Sequence, residues 1–197
     1  MEKDKEKTKL KLIDAVGEII AHDGFEGLGI RRISSVANVN KTLIYRYFNS
    51  LDGLLFAYMQ ANDFWATAKN KCTEIGDARC FLKKFYREEI DGLRNNIALR
   101  RLRRWELATS HDFINEITKH REQNGRRFME AMYPYAAVEE DHIQAIATLL
   151  DAGIVNLALS ADKFQYYNGI DIQSKKGWEQ IAKGIDFLID SLIQLKV

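Results

Sequence analysis

From Lys9 onward, apolar residues return at steps of three and four, the period of a helix with one buried face. The pattern breaks at glycines and polar clusters. It predicts a first helix over about Lys9 to His22, with Leu12, Ile13, Val16, Ile19 and Ile20 inward and Asp23-Gly24 ending it. Two short helices follow between Ile30 and Phe48, then a fourth from Leu51 to about Cys72, opened by Ser50 and Asp52. Further helices are predicted over Asp77 to Arg94, Ile97 to Ala108 and Asp112 to Tyr133, the last closed by Pro134, and then over Glu139 to Ser160 and Ser174 to Lys196. Asn168-Gly169 marks a turn between the final two. The expected fold is all-α.

The two short helices carry the sharpest signal. Ile33, Val36 and Ala37 share one side of the first, and Val39, Ile44 and Phe48 close a small core with it. Lys41, Thr42, Tyr45 and Arg46 are left facing outward, and no acid falls between Ile30 and Phe48. Two helices joined by a tight turn in this way form a helix-turn-helix, which lays its second helix in the DNA major groove.

The last helix repeats Trp178, Ile181, Ile185, Leu188, Leu192 and Leu195 at threes and fours, with Ala182, Ile189 and Ile193 beside them. Its partner carries Ile146, Leu150, Ile154 and Leu157 with the small Ala152 and Gly153. Stripes this wide suit burial both within one domain and against a second copy, although a buried monomeric hairpin needs the same residues. The expected dimer interface is Ile146, Leu150, Ile154, Ile181, Ile185, Leu188 and Leu192.

Composition narrows the classes. A chain of 197 residues with 46% apolar content folds without metal or disulfide, and Cys72 and Cys80 match no zinc or redox spacing. The mixed charges of the N-terminus and the lack of any apolar stretch of signal or membrane-span length place the protein in the cytoplasm, away from membranes. A net charge of +1 excludes a polycation that coats nucleic acid, so DNA affinity must come from locally placed groups.

With these residues in view, the chain resembles the TetR (tetracycline-repressor-like) family of bacterial transcription regulators. The resemblance rests on residues 10–60: the G-F-E-G-L exit of the first helix, the turn at Ala37 to Asn40, Tyr45, Tyr47, Phe48 and the S-x-D-x-L-L run from Ser50. It implies an N-terminal helix-turn-helix domain (1–48) and a larger helical ligand-binding and dimerisation domain (49–197), whose last two helices build a four-helix interface. It also implies a homodimer on an inverted-repeat duplex, released by a small, largely apolar effector. By position it assigns Arg31 to a base or phosphate, Lys41 and Thr42 to bases, and Tyr45 and Tyr47 to phosphate, roles that fit their chemistry. Leu43 and Leu51 replace polar residues usual in the family, and Gly29 replaces a threonine cap, a position where glycine is tolerated. An activator would share this sequence.

Other chemistry is sparse. Arg100, Arg101, Arg103 and Arg104 read as a solvated face with Glu88, Glu89 and Glu106 as partners. His22, His111, His120 and His142 lack metal-ligand spacing, no cofactor motif or catalytic constellation occurs, and the chain is not expected to be an enzyme. The middle third is rich in aromatic and thioether groups, of which Trp65, Tyr86, Trp105 and Met129 are candidate ligand walls, with His120 and Asn156 as polar groups to orient a ligand. A packed core needs the same residues. The rival class is an all-helical small-molecule carrier or enzyme without DNA binding, against which the outward Lys41, Thr42, Tyr45 and Arg46 count.

Overall fold

The computed structural model describes residues 2–62 and 77–194. Its elements are α1 (Glu2–Asp23), a 3₁₀ turn (Phe25–Gly27), α2 (Ile30–Ala37), α3 (Thr42–Phe48), α4 (Leu51–Ala61), α5 (Ala78–Asn95), α6 (Ile97–Ala108), α7 (Asp112–Met132), a second 3₁₀ turn (Tyr133–Tyr135), α8 (Glu140–Ser160), strands β1 (Tyr166–Tyr167) and β2 (Ile170–Asp171), and α9 (Lys175–Leu192). They group into two compact units. One contains α1 to α4, α6 and the start of α7 to residue 121; the other contains α5, the rest of α7 and everything after it. Compactness thus joins α4 and α6 to the N-terminal helices, beyond the boundary expected after residue 48.

In the first unit, Leu12, Ala15, Val16, Ile19 and Ile20 bury one stripe of α1. Against it pack α2, α4 and α6. The helix starts at Glu2, earlier than Lys9, because its charged first turns support themselves at helical spacing, as in the Lys9 to Glu6 pair at 2.9 Å. Gly17 lets the Tyr58 ring lie against α1, and burial pushes that phenol up to about 12. From α6, Arg101 Nη1 donates to the carbonyl of Ile20 at 3.0 Å, and Trp105 stacks flat on Phe25 with centroids 4.4 Å apart.

Side-chain and backbone caps fix the short helices. At the end of α2, Asn38 takes the left-handed conformation (φ 50°), its N–H donates to Ser35 O at 3.2 Å, and the Val39 N–H donates to Ser34 O at 3.0 Å, a Schellman closure. Ser50 Oγ caps α4 by accepting from Gly53 N at 3.0 Å. The Phe48 carbonyl folds so closely over Gly53 that any Cβ there would collide with it.

In the second unit, α5 is the hub for α8 and α9. Leu82, Phe85, Tyr86, Ile90 and Leu93 are buried with Phe128, Met129 and Met132 of α7, Ile154 of α8, and Trp178, Ile185 and Ile189 of α9. Outside this core, Lys83 pairs with Asp190 at 2.6 Å, and Arg87 pairs with Asp186 at 2.6 Å and Glu179 at 3.2 Å.

Three expectations change. The segment after Ser160 forms a two-stranded antiparallel hairpin, with Tyr166 opposite Asp171 and Tyr167 opposite Ile170. Asn168 (φ 49°) and Gly169 (φ 80°) make the tight turn it requires. The last helix stops at Leu192, not Lys196, because Ile193 becomes extended and bridges Ala136 while the Gln194 N–H donates to Tyr135 O at 2.7 Å. And α8 does reach membrane-span length and apolarity, with a mean hydropathy of 1.5. Small residues on its outward face, such as Ala145 and Ala152, raise that mean without breaking its amphipathic spacing. The expected end of the fourth helix at Cys72 lies outside the described residues.

Gly53→Ala should destabilise the protein by about 1–3 kcal/mol, since its methyl meets backbone that cannot step aside. Gly29 caps α2 in an extended conformation with open space around it and no side-chain hydrogen bond, so Gly29→Ser should stabilise by about 0.5 kcal/mol. Urea unfolding measures both; an unchanged midpoint for Gly53→Ala would refute the close approach.

Candidate functional site

Ile33 and Ile44 are fully buried and lock α2 and α3 together. The opposite surface is polar. Arg31, Lys41, Thr42, Tyr45 and Arg46 are all exposed, Tyr45 by 52%. Tyr47 is half-buried, with Lys5 Nζ of α1 placed 6.0 Å from its ring centroid. Arg31, Ser34, Ser35, Asn38, Asn40 and Lys41 border a shallow polar hollow where α2 ends and α3 begins. Hydroxyls, amides and guanidinium groups in such a hollow suit phosphate oxygens and base edges. Arg32, by contrast, is tied to Asp23 at 3.1 Å.

Asn40 organises the start of α3. Its Oδ1 accepts from the Thr42 N–H at 3.0 Å and from the Thr42 hydroxyl at 2.8 Å. The Thr42 hydroxyl hydrogen is therefore engaged within the chain, which leaves the oxygen lone pairs and the methyl as its outward groups, beside the exposed Lys41. Asn two residues before a helix is a capping signal in its own right, and it was legible in the sequence.

The other expected sites rearrange. In the second unit, α5, α7, α8 and α9 surround an apolar cleft of about 40 Å3, little more than the space of one water molecule. Tyr86 and Met129 form part of its wall, as do Phe128, Met132, Leu150 and Leu188. Burial holds the Tyr86 phenol well above its ordinary value, with the charges of Glu89 and then Asp151 adding to the shift. Trp105 belongs to the first unit, stacked on Phe25 and facing the His111 and Phe113 rings at 5.3 and 6.1 Å, so it is no wall of this cleft. His120 and Asn156 are exposed and do not line it, and Trp65 lies outside the described residues.

Among the expected interface residues, Ile154 and Ile185 are buried in their own unit, because their steps face α5. Ile146, Leu150, Leu188 and Leu192 border the cleft, and Ile181 is half-buried. The large apolar groups that do point outward are Leu149 on α8, 72% exposed, and Phe187 on α9, 71% exposed, with Ala145, Ala152 and Gly184 around them. Two helices apolar on more than one side gave the spacing no means to choose between these faces.

Residues 12–58, from the buried stripe of α1 to Tyr58, match the family model for bacterial regulatory proteins of the tetR family. The matched stretch carries a tetR-type N-terminal domain. No curated protein matches it in sequence. Solved structures share the fold: a TetR family transcription regulator from Marinobacter aquaeolei (15% identity, 99% of this chain and 100% of that chain, TM-score 0.68), FadR from Bacillus subtilis in complex with stearoyl-CoA (15%, 91% and 96%, TM-score 0.67) and NalD, the secondary repressor of the MexAB-OprM multidrug efflux pump in Pseudomonas aeruginosa (14%, 97% and 98%, TM-score 0.64). The matched residues include the whole of α2 and α3.

Asn40→Ala should cost about 1 kcal/mol of stability by removing the cap. Asn40→Asp caps equally well and should keep that stability, yet it sets a carboxylate on the phosphate-facing surface and should weaken duplex binding. Unfolding and binding measured side by side separate the two roles, and an Asp variant that binds like wild type would remove Asn40 from the interface.

Proposed function

We propose that the chain is a ligand-responsive repressor that binds an inverted-repeat operator as a homodimer through Arg31, Lys41, Thr42, Tyr45, Arg46 and Tyr47. The observation that carries this reading is the exposed, acid-free polar face of α2 and α3 over its buried Ile33 and Ile44 core. Seven residues of recognition helix make few contacts. Two copies on half-sites about one helical turn apart multiply them, and a two-fold protein axis matches an inverted repeat. Leu149 and Phe187 support the second copy, because covering them gives the outward apolar faces of α8 and α9 a partner.

The effector reading rests on the second unit. Its cleft is walled by apolar side chains, which suits an alkyl chain that parts them more than a compact polar molecule. The FadR structure was solved with stearoyl-CoA, an acyl ligand. Only Asn96 separates α5, which borders the cleft, from α6, which Arg101 and Trp105 fasten to the α1 end. Ligand that shifts α5 would favour a dimer whose recognition helices no longer match the half-site spacing.

Lys41→Ala should lower the preference for a selected duplex over a scrambled one by about 1–3 kcal/mol, whereas Tyr47→Phe should weaken both alike. Competition binding at moderate salt distinguishes the two patterns. Equal affinity of the wild type for selected and random duplexes would sink the operator reading.

A further inference from the structure

We infer that the β1–β2 hairpin is an arm of the homodimer, whose aromatic side chains close on a second copy of this chain. The inference rests on the homodimer reading above and extends it to a segment outside the two helices.

The inner side of the hairpin is fixed. Ile172, just after β2, is 1% exposed, and Trp178 Nε1 donates to its carbonyl at 2.6 Å. Ser174 Oγ caps α9 by accepting from Gly177 N at 3.0 Å, and the Asp171 carbonyl lies so close to Gly177 that no side chain would fit between. Gln173 Nε2 reaches back to the Ala161 carbonyl at 2.9 Å. Two strands of two residues have little stability of their own, so this anchoring is what defines the hairpin.

Phe164, Tyr166 and Tyr167 are exposed by 60, 62 and 44%. Three aromatics within four residues, held out by a rigid support, are costly to leave in water, and aromatic anchors are enriched in protein interfaces. Fully covered, each buries about 150–250 Å2, so at these exposures the three offer roughly 300 Å2 per protomer. A stable interface needs about 800 Å2 per partner. Leu149, Phe187 and Leu188, surrounded by alanine and glycine, fall short of that alone. The hairpin begins where α8 ends and finishes where α9 starts, so it joins the two helices whose outward sides carry Leu149 and Phe187, and an isologous contact uses each arm twice.

Sedimentation equilibrium of the full chain provides the test. The combined variant Phe164→Ser, Tyr166→Ser, Tyr167→Ser should keep the wild-type far-ultraviolet circular dichroism, since these side chains are exposed, while its dimer Kd rises 10- to 100-fold. Phe187→Glu should give a folded monomer. In that monomer N-acetylimidazole should modify Tyr166 and Tyr167 several-fold faster than in the wild-type dimer. A triple variant with the wild-type Kd, or equal modification rates in dimer and monomer, overturns the arm while leaving the homodimer standing. A wild type that stays monomeric at micromolar concentration overturns both.

Discussion

Burial of the α1 stripe is the interaction on which the DNA-reading unit depends. Helices of eight and seven residues, such as α2 and α3, are too short to persist alone, because nucleation costs more than a few backbone hydrogen bonds return. Leu12, Val16, Ile19 and Ile20 give α2 and α4 a surface on which to fold, and α3 packs on α4. Arg101 of α6 holds the C-terminal end of the same helix and Trp105 stacks on Phe25 just beyond it, so the element that supports α2 and α4 is also the one that α6 grips.

In the second unit, α5 has the corresponding role. It presents one side to the cleft and holds α9 by two basic residues on three carboxylates, Lys83 on Asp190 and Arg87 on Glu179 and Asp186. These pairs are partly exposed, which makes them devices of register more than of stability. Apolar packing along Leu82, Phe85, Tyr86 and Ile90 supplies the cohesion. With α8 and α9 both seated on α5, their remaining sides stay outward and carry Leu149 and Phe187.

What the sequence could disclose follows from what periodicity measures. Ile33 and Ile44 were legible because one apolar side on each short helix leaves a single solution, and with them the outward Lys41, Tyr45 and Arg46. Leu149 and Phe187 were not legible as outward groups, since helices with apolar residues on two sides satisfy the same spacing whichever side meets α5. Trp105 read as a ligand wall from its place in an aromatic stretch, and its real partner, Phe25, is brought to it only by tertiary folding. The β1–β2 pair escaped notice because two-residue strands carry no alternation, although Asn168-Gly169 did announce its turn. Asn40 was readable in principle, as a capping residue ahead of Thr42, and it fixes the start of α3.

The regulator proposed above couples two binding events, and such coupling is reciprocal. The decisive measurement is the binding isotherm on a selected inverted-repeat duplex, recorded with and without palmitate as an alkyl-chain probe. Palmitate that raises the melting temperature, as a ligand specific to the folded state must, should also raise the duplex Kd, with two chains on each duplex in its absence. Isotherms that superimpose while palmitate still raises the melting temperature would contradict it.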